Sequence, residues 1–288
     1  MPNANFGGLR VLSLESRRAQ EIAKLIANYG GVAVVAPALR EVPLESNTEA
    51  IAFADALLRG EFDLVILLTG VGTRALVGVV ESIGKREAFL AALRRVPIVV
   101  RGPKPLAVLR ELNVPAAIAV PEPNTWRELL RALDGAASEK QIAIRGARVA
   151  VQEYGVSNPE LLAGLVERGA RVVRVPVYQW ALPENLEPLR DAIRALAEGR
   201  FDVVLFTTSV QVTHLMQVAA EMKLEAALRH GLERAVIASI GPSTTESLRQ
   251  HGLEPDLEPE HPKMGFLVEL VATRSSGLLA AKRKPSRN

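Results

Sequence analysis

The sequence predicts an α/β protein of two similar lobes, each a doubly wound parallel sheet. Three observations predict it. The 288-residue chain resembles itself at a period near 139. Its apolar runs are short, unbroken and rich in Val, Ile and Leu. Amphipathic patterns ending at glycine lie between those runs. "GLRVLSLESRRAQEIAKLIANYGG" from Gly8 returns as "GARVAVQEYGVSNPELLAGLVERG" from Gly146, an offset of 138. "GEFDLVILLTGVGTRAL" returns as "GRFDVVLFTTSVQVTHL", with Phe62 on Phe201 at an offset of 139. "VPIVVRGPKPLAVLRELNV" returns as "AVIASIGPSTTESLRQHGL", with Gly102 on Gly241, again at 139. One inserted residue reconciles the register. A period of this length marks an internal duplication and is too long for a solenoid unit.

Each element of the first copy has its own warrant. Strands are expected over 10–14, 32–36, 63–68, 98–101 and 116–120, where the apolar runs suit strands buried on both faces. Helices are expected between them, over 19–28, 48–58 and 105–112 among others. Gly30, Gly31 and Gly169 stop helices, because glycine adopts the left-handed residue that ends them. Alternation of this kind builds a parallel sheet with right-handed crossovers. Two links, "PALREVPLESN" at 37–47 and "PVYQWALPEN" at 176–185, are long and proline-bearing. They suit a chain that passes from one lobe to the other.

Composition excludes several classes of function. The chain has no cysteine, so disulfides, thiolate nucleophiles and sulfur-ligated zinc are out. A net charge of +3, from 35 basic and 32 acidic residues, is too balanced for a nucleic-acid protein. No continuous apolar run suggests a bilayer span, and "MPNANFGG" lacks the pattern of a signal peptide, so a cytoplasmic location is expected. "GVG" at 70–72 lacks the third glycine of a dinucleotide loop, and "GPKP" at 102–105 is not a Walker loop. His214, His230, His251 and His261 show no ligand spacing and read as surface or boundary residues.

Ligands of open α/β sheets collect at the carboxyl ends of strands. Those ends are 15–17, 69–72 and 101–104 in the first copy, and 153–155, 207–209 and 241–244 in the second. They offer Thr69, Gly70, Arg101, Thr207, Ser209, Gly241, Ser243 and Thr244 as binding candidates. For the hydroxyls two readings stand side by side: helix caps, or the lining of a site. Ser243 with Glu246, and Ser157 with Glu160, have the spacing of a capping box. In "IGPST", Gly241 suits a tight turn and the helix start that follows suits a carboxylate or phosphate. Tyr178, between Pro176 and Trp180, is either packing or a proton donor.

Taken in order, "LLTGVG", "VVRGPK", "VPVYQW", "LFTTSVQV" and "ASIGPST" resemble the uroporphyrinogen-III synthase family over about residues 8–275. The resemblance implies two flavodoxin-like lobes joined by a two-stranded ladder. One would hold 1–38 plus 181–275, the other 42–176, with a disordered basic tail over 276–288. It implies cyclisation of hydroxymethylbilane to uroporphyrinogen III, with loss of water and inversion of ring D. It implies no cofactor, no metal, a small-molecule linear tetrapyrrole as substrate, no nucleic acid or membrane partner, and a monomer. The family's ladder tyrosine falls on Tyr178, the catalytic candidate. Its strand-end hydroxyl falls on Thr207, beside Ser209, and its Gly-Pro-turn hydroxyl on Thr244, beside Ser243. Many members carry Thr-Arg-Pro after the first strand, where this chain has Leu14, Glu15 and Ser16; Arg17 stands one position further on. The alternatives are a tetrapyrrole-binding paralogue without activity and a two-lobed solute-binding module.

Overall fold

The computed structural model describes residues 4–44, 46–139, 142–153, 155 and 157–283. The chain divides into two compact units, Met1–Arg40 with Ala181–Asn288, and Glu41–Trp180.

The first unit holds β1 (Arg10–Ser13), α1 (Ala19–Asn28), β2 (Val32–Val35), α8 (Glu187–Ala197), β10 (Val203–Phe206), α9 (Ser209–Glu221), α10 (Glu225–Arg234), β11 (Val236–Ser239), α11 (Pro242–Gln250) and α12 (Met264–Lys282). Its sheet runs β11-β10-β1-β2 and every pairing is parallel. Alternate side chains of a strand point to opposite faces. Val204 and Phe206 of β10 therefore pack with Leu189, Ile193 and Leu215, while Val203 and Leu205 pack with Ile22, Leu267 and Val271. Both faces are covered, which is why the strands contain no alternating polar residues. Gly231 lets α10 lie on α8, since a Cβ there would overlap the Leu196 carbonyl.

The second unit holds α2 (Thr48–Leu58), β4 (Leu64–Leu67), α3 (Gly70–Ser82), α4 (Arg86–Leu93), β5 (Ile98–Val100), α5 (Pro103–Glu111), β6 (Ile118–Ala119), α6 (Trp126–Ser138), β7 (Arg148–Gln152), α7 (Pro159–Glu167) and β8 (Arg171–Val175). Its sheet is parallel throughout, in the order β6-β5-β4-β7-β8. Leu64 and Ile66 pack towards Leu129 and Leu133, Val65 and Leu67 towards Phe53 and Phe89. A separate two-stranded sheet pairs β3 (Arg40–Pro43) with β9 (Tyr178–Ala181).

Each sheet takes strands from both the N-terminal and the C-terminal half of the chain. Counted from β7, the second unit runs second, first, third, fourth, fifth, which is the flavodoxin order with the chain entering at the third strand. Counted from β1, the first unit has the same order over four strands. A fifth strand is reduced there to a single bridge, Ala238 to Leu257. The order reverses between β4 and β7 in one unit and between β1 and β10 in the other. These are the switch points at which such sheets hold ligands.

Several expectations need correction. Neither proposed capping box forms. Asn158 caps α7 by accepting from Leu161 N–H at 2.7 Å, and Ser157 donates to Glu153 instead. Ser243 lies inside α11, whose N-cap is Gly241. A capping box does form at Thr125 and Glu128 on α6. The tail is helical rather than disordered from 276: α12 continues to Lys282, with Leu279 buried and Lys282 paired to Asp256 at 2.8 Å. Residues 284–288 lie outside the described residues. By length and composition alone α12 qualifies as a membrane span, contrary to the sequence expectation. Its Leu267, Val268, Val271 and Ala272 pack in the core beneath β10 and β11.

Candidate functional site

The two switch points are built alike in outline and differently in chemistry. In the second unit, β4 runs into Thr69, the N-cap of α3, whose hydroxyl oxygen accepts from Gly72 N–H at 3.0 Å. Gly70 is demanded by packing, because a Cβ there would stand 2.8 Å from the Lys104 carbonyl oxygen at the start of α5. Gly72 leaves room for the Gln152 side chain, buried at the end of β7. The Tyr178 hydroxyl lies 3.5 Å from Thr69 Oγ1, at the outer limit of a hydrogen bond. Its ring is 7% exposed and meets Trp180 edge-on at 5.5 Å between centroids. Arg101 follows β5, half-buried, with its N–H donating to Leu67 O at 3.0 Å. Of the sequence candidates, Thr69, Gly70 and Tyr178 come together here, and Arg101 sits on the adjacent strand.

Glu153 follows β7 with 5% of its side chain exposed. Arg174 of β8 grips it bidentately at 3.0 and 2.9 Å, and Ser157 donates to it at 2.8 Å. The hydrogen bonds and charge of Glu153 hold the Arg174 guanidinium above its ordinary value. Tyr154 and Val156 lie outside the described residues.

In the first unit the corresponding network centres on Gln211, which is 1% exposed. Its Oε1 accepts from Thr207 N–H at 2.7 Å. Its Nε2 donates to Leu14 O at 3.1 Å and to Thr207 Oγ1 at 2.9 Å. The Thr207 hydroxyl donates in turn to the Glu15 carboxylate, which also accepts from Arg18 N–H at 3.2 Å. Thr207 is thus committed within the protein in both its donor and its acceptor roles. Ser209 opens α9, and its carbonyl accepts from Ser247 Oγ at 3.3 Å.

At the Gly-Pro turn, Gly241 has an extended backbone, φ 167°, which any residue adopts. Glycine is favoured there because a Cβ would come within 3.0 Å of Pro262. Ser239 Oγ bonds the Gly241 N–H and carbonyl at 3.3 and 3.0 Å, which holds the turn. Thr244 is buried and Ser243 exposed, so Ser243 is the more accessible hydroxyl. His214 is buried and not a surface residue; its Nδ1 lies 2.7 Å from Ala38 O. No group of His, Cys, Asp or Glu able to hold a metal occurs among the described residues.

Sequence reasoning missed Gln152 and Gln211. A signal was present. In the repeat Gln152 aligns with Leu14 and Gln211 with Gly72. Each unit therefore has one glutamine at its switch point, supplied by a strand end in one and by a helix in the other.

Comparison with known proteins agrees with this architecture. The family model described as uroporphyrinogen-III synthase HemD matches residues 20–269. The uncharacterized protein YjjA of Bacillus subtilis is 33% identical over 271 residues, covering 92% of this chain and 95% of that one. A Methanothermobacter thermautotrophicus protein with the provisional name uroporphyrinogen-III synthase is 33% identical over 239 residues, 82% of this chain and 87% of its own. The crystal structure of a mutant uroporphyrinogen III synthase from the extremely thermophilic bacterium Thermus thermophilus matches with a TM-score of 0.70 at 25% identity, over 96% of this chain and 100% of that one. A family match across nearly the whole chain, joined to a fold match of the same extent, means that this protein belongs to the uroporphyrinogen-III synthase family.

Proposed function

We propose that the chain cyclises hydroxymethylbilane to uroporphyrinogen III, with loss of water and inversion of ring D. The observation that carries this reading is the family match over residues 20–269, which includes strand ends of both units. The substrate bears acetate and propionate carboxylates on its pyrroles. The helix starts of α3 in the second unit, with Arg101 on the adjacent strand, and of α11 in the first unit, with the exposed Ser243, each suit an anion without a large basic patch. Ser209 and the N–H groups that open α9 extend the same set in the first unit. The substrate closes unaided to the non-inverted isomer, so catalysis consists mainly of holding ring D where its substituted carbon meets the terminal methylene.

Tyr178 is the proposed proton donor to the departing hydroxyl. Its proximity to Thr69 at the second unit's switch point supports that role. The departing group leaves as water and the remaining methylene becomes an azafulvene cation. Ring D attacks that cation, and the spiro product fragments and recombines before a ring proton is lost. The test is incubation with hydroxymethylbilane and separation of the products. Type III isomer is expected above the uncatalysed rate. Type I alone, at the spontaneous rate, refutes the assignment and favours a binder without activity or an unrelated role.

A further inference from the structure

At the second unit's switch point two hydroxyls, those of Thr69 and Tyr178, face each other within one compact unit. Thr69 is held through its backbone. Its N–H donates to Gln152 Oε1 at 3.5 Å, and the Gln152 amide fills the space that a Cβ on Gly72 would need. Its carbonyl accepts from Thr73 N–H at 2.9 Å and from Thr73 Oγ1 at 2.8 Å. Tyr178 is held through its ring, which meets Trp180 edge-on. Trp180 in turn lies against Gly155, where φ is 64° and a Cβ would overlap the indole. The pairing is peculiar to this unit. In the repeat Thr208 aligns with Thr69 and Leu39 with Tyr178, and Thr208 opens α9 without a side-chain cap.

The direction of the contact follows from Thr69. A hydroxyl has one proton and two lone pairs. One lone pair takes the Gly72 N–H at 3.0 Å, which fixes where the oxygen points. Thr73 directs its own hydroxyl to the Thr69 carbonyl and does not compete. Among the described residues, the Thr69 proton has the Tyr178 oxygen within reach at 3.5 Å. Catalytic hydrogen bonds are often that long before substrate binds and tighten in the complex. Tyr178 has further contacts, and none of them alters the single proton that Thr69 can give. A phenol that accepts from Thr69 keeps its own proton for another oxygen. Thr69 is also the N-cap of α3, and the positive end of a helix favours negative charge within its first turn.

Resting on the function proposed above, we propose that Thr69 is a positioning residue that donates its hydroxyl proton to the Tyr178 oxygen. That bond leaves the phenol proton free for the departing hydroxyl and stabilises the phenolate once the proton has gone. In the step itself the phenol O–H bond breaks and its proton joins the substrate oxygen. The C–O bond breaks with its electron pair, and water departs. The negative charge stays on the Tyr178 oxygen, where Thr69 meets it; the Thr69 proton does not transfer. The ring proton lost at the end of the reaction balances the one taken up and restores the phenol. A hydrogen bond to a developing charge strengthens as the charge grows, so Thr69 acts on the transition state more than on binding.

The test measures type III product from hydroxymethylbilane with the wild type, T69V, T69S, Y178F and the T69V/Y178F double variant, each confirmed as folded by circular dichroism. T69V is expected to lower kcat by about 10- to 100-fold, the worth of a hydrogen bond to a charged group, with KM little changed. T69S, which keeps the hydroxyl, is expected to restore most of that loss. In the Y178F background T69V should change kcat by less than about twofold, because the group it acts through is gone. T69V also removes the cap of α3. Should it not fold, T69D carries the comparison: its carboxylate still accepts from Gly72 N–H but has no proton to give, and kcat is expected to fall despite the retained cap. A kcat for T69V within about twofold of wild type, or a loss expressed wholly as a raised KM, overturns the proposal. So does an equal loss from T69V with and without the phenol, or a T69S as slow as T69V. Any of these, with type III product still formed by the wild type, refutes the role of Thr69 and leaves the proposed function intact. No type III product from the wild type refutes the function itself and this role with it.

Discussion

Replacing Gln211 with methionine tests the construction of the first unit's switch point. Methionine has nearly the same length and no polar group to offer. The substitution removes three hydrogen bonds, at 2.7, 2.9 and 3.1 Å. Their partners are not equally exposed to the loss. The Leu14 carbonyl keeps the Ala38 N–H at 3.3 Å. The Thr207 hydroxyl keeps Glu15. The Thr207 N–H loses its acceptor, beside a side chain that is 1% exposed. One orphaned donor and two weakened acceptors amount to about 2–4 kcal/mol. For a unit of this size that lowers the midpoint by roughly 5–12 °C. Both tryptophans, Trp126 and Trp180, belong to the second unit, so their fluorescence does not report the first directly. Circular dichroism and hydrogen exchange at the Thr207 amide are the assays. An unchanged exchange rate at Thr207, with a loss below about 0.5 kcal/mol, refutes the account of Gln211 as the organiser of this strand end.

Other outcomes follow from the same geometry. Y178F is expected to lower turnover by about 100-fold with a melting curve close to wild type; full turnover in a folded variant removes Tyr178 from the acid role. Asp134 accepts from Arg168 at 2.7 Å on both oxygens, which holds its carboxyl below the ordinary value. Its contribution is therefore present above the unfolded value near about 4 and fades as pH falls through the lower folded value. Urea unfolding should then separate D134N from wild type at pH 7 and bring them together in acid; a gap that widens in acid contradicts the pairing. Ending the chain after Ser275 removes buried Leu279 and the Lys282–Asp256 pair, at about 1.5–3 kcal/mol for the leucine alone, whereas removing only 284–288 should leave stability and turnover unchanged.

The strand ends that frame the candidate site were legible in local pattern, and the contacts their side chains make were not. The runs at 63–68 and 98–101 announced β4 and β5 because strands buried on both faces need apolar residues at every position. Thr69 and Thr207 follow such runs and stand at switch points for the same reason. The capping boxes misled because the Ser-x-x-Glu spacing says nothing about where a helix begins, and Pro159 and Pro242 set the starts of α7 and α11 instead. The tail misled because its basic residues hid Leu279, whose burial depends on packing against distant strands.

The order of apolar runs, glycine stops and repeated motifs by itself determined an α/β chain in two similar halves, since those signals act within a few residues. Tertiary structure alone decided that β1 pairs with β10 and β4 with β7, and so which strand ends share a switch point. It alone decided that Glu153 is matched by an arginine while Glu15 faces a hydroxyl. The hydroxyl partner of Glu15 comes from 192 residues away. The arginine partner of Glu153 stands on the neighbouring strand, at a place that Val35 takes in the first unit. Both depend on which strands pair and in what register, where a slip of one position turns every side chain to the other face.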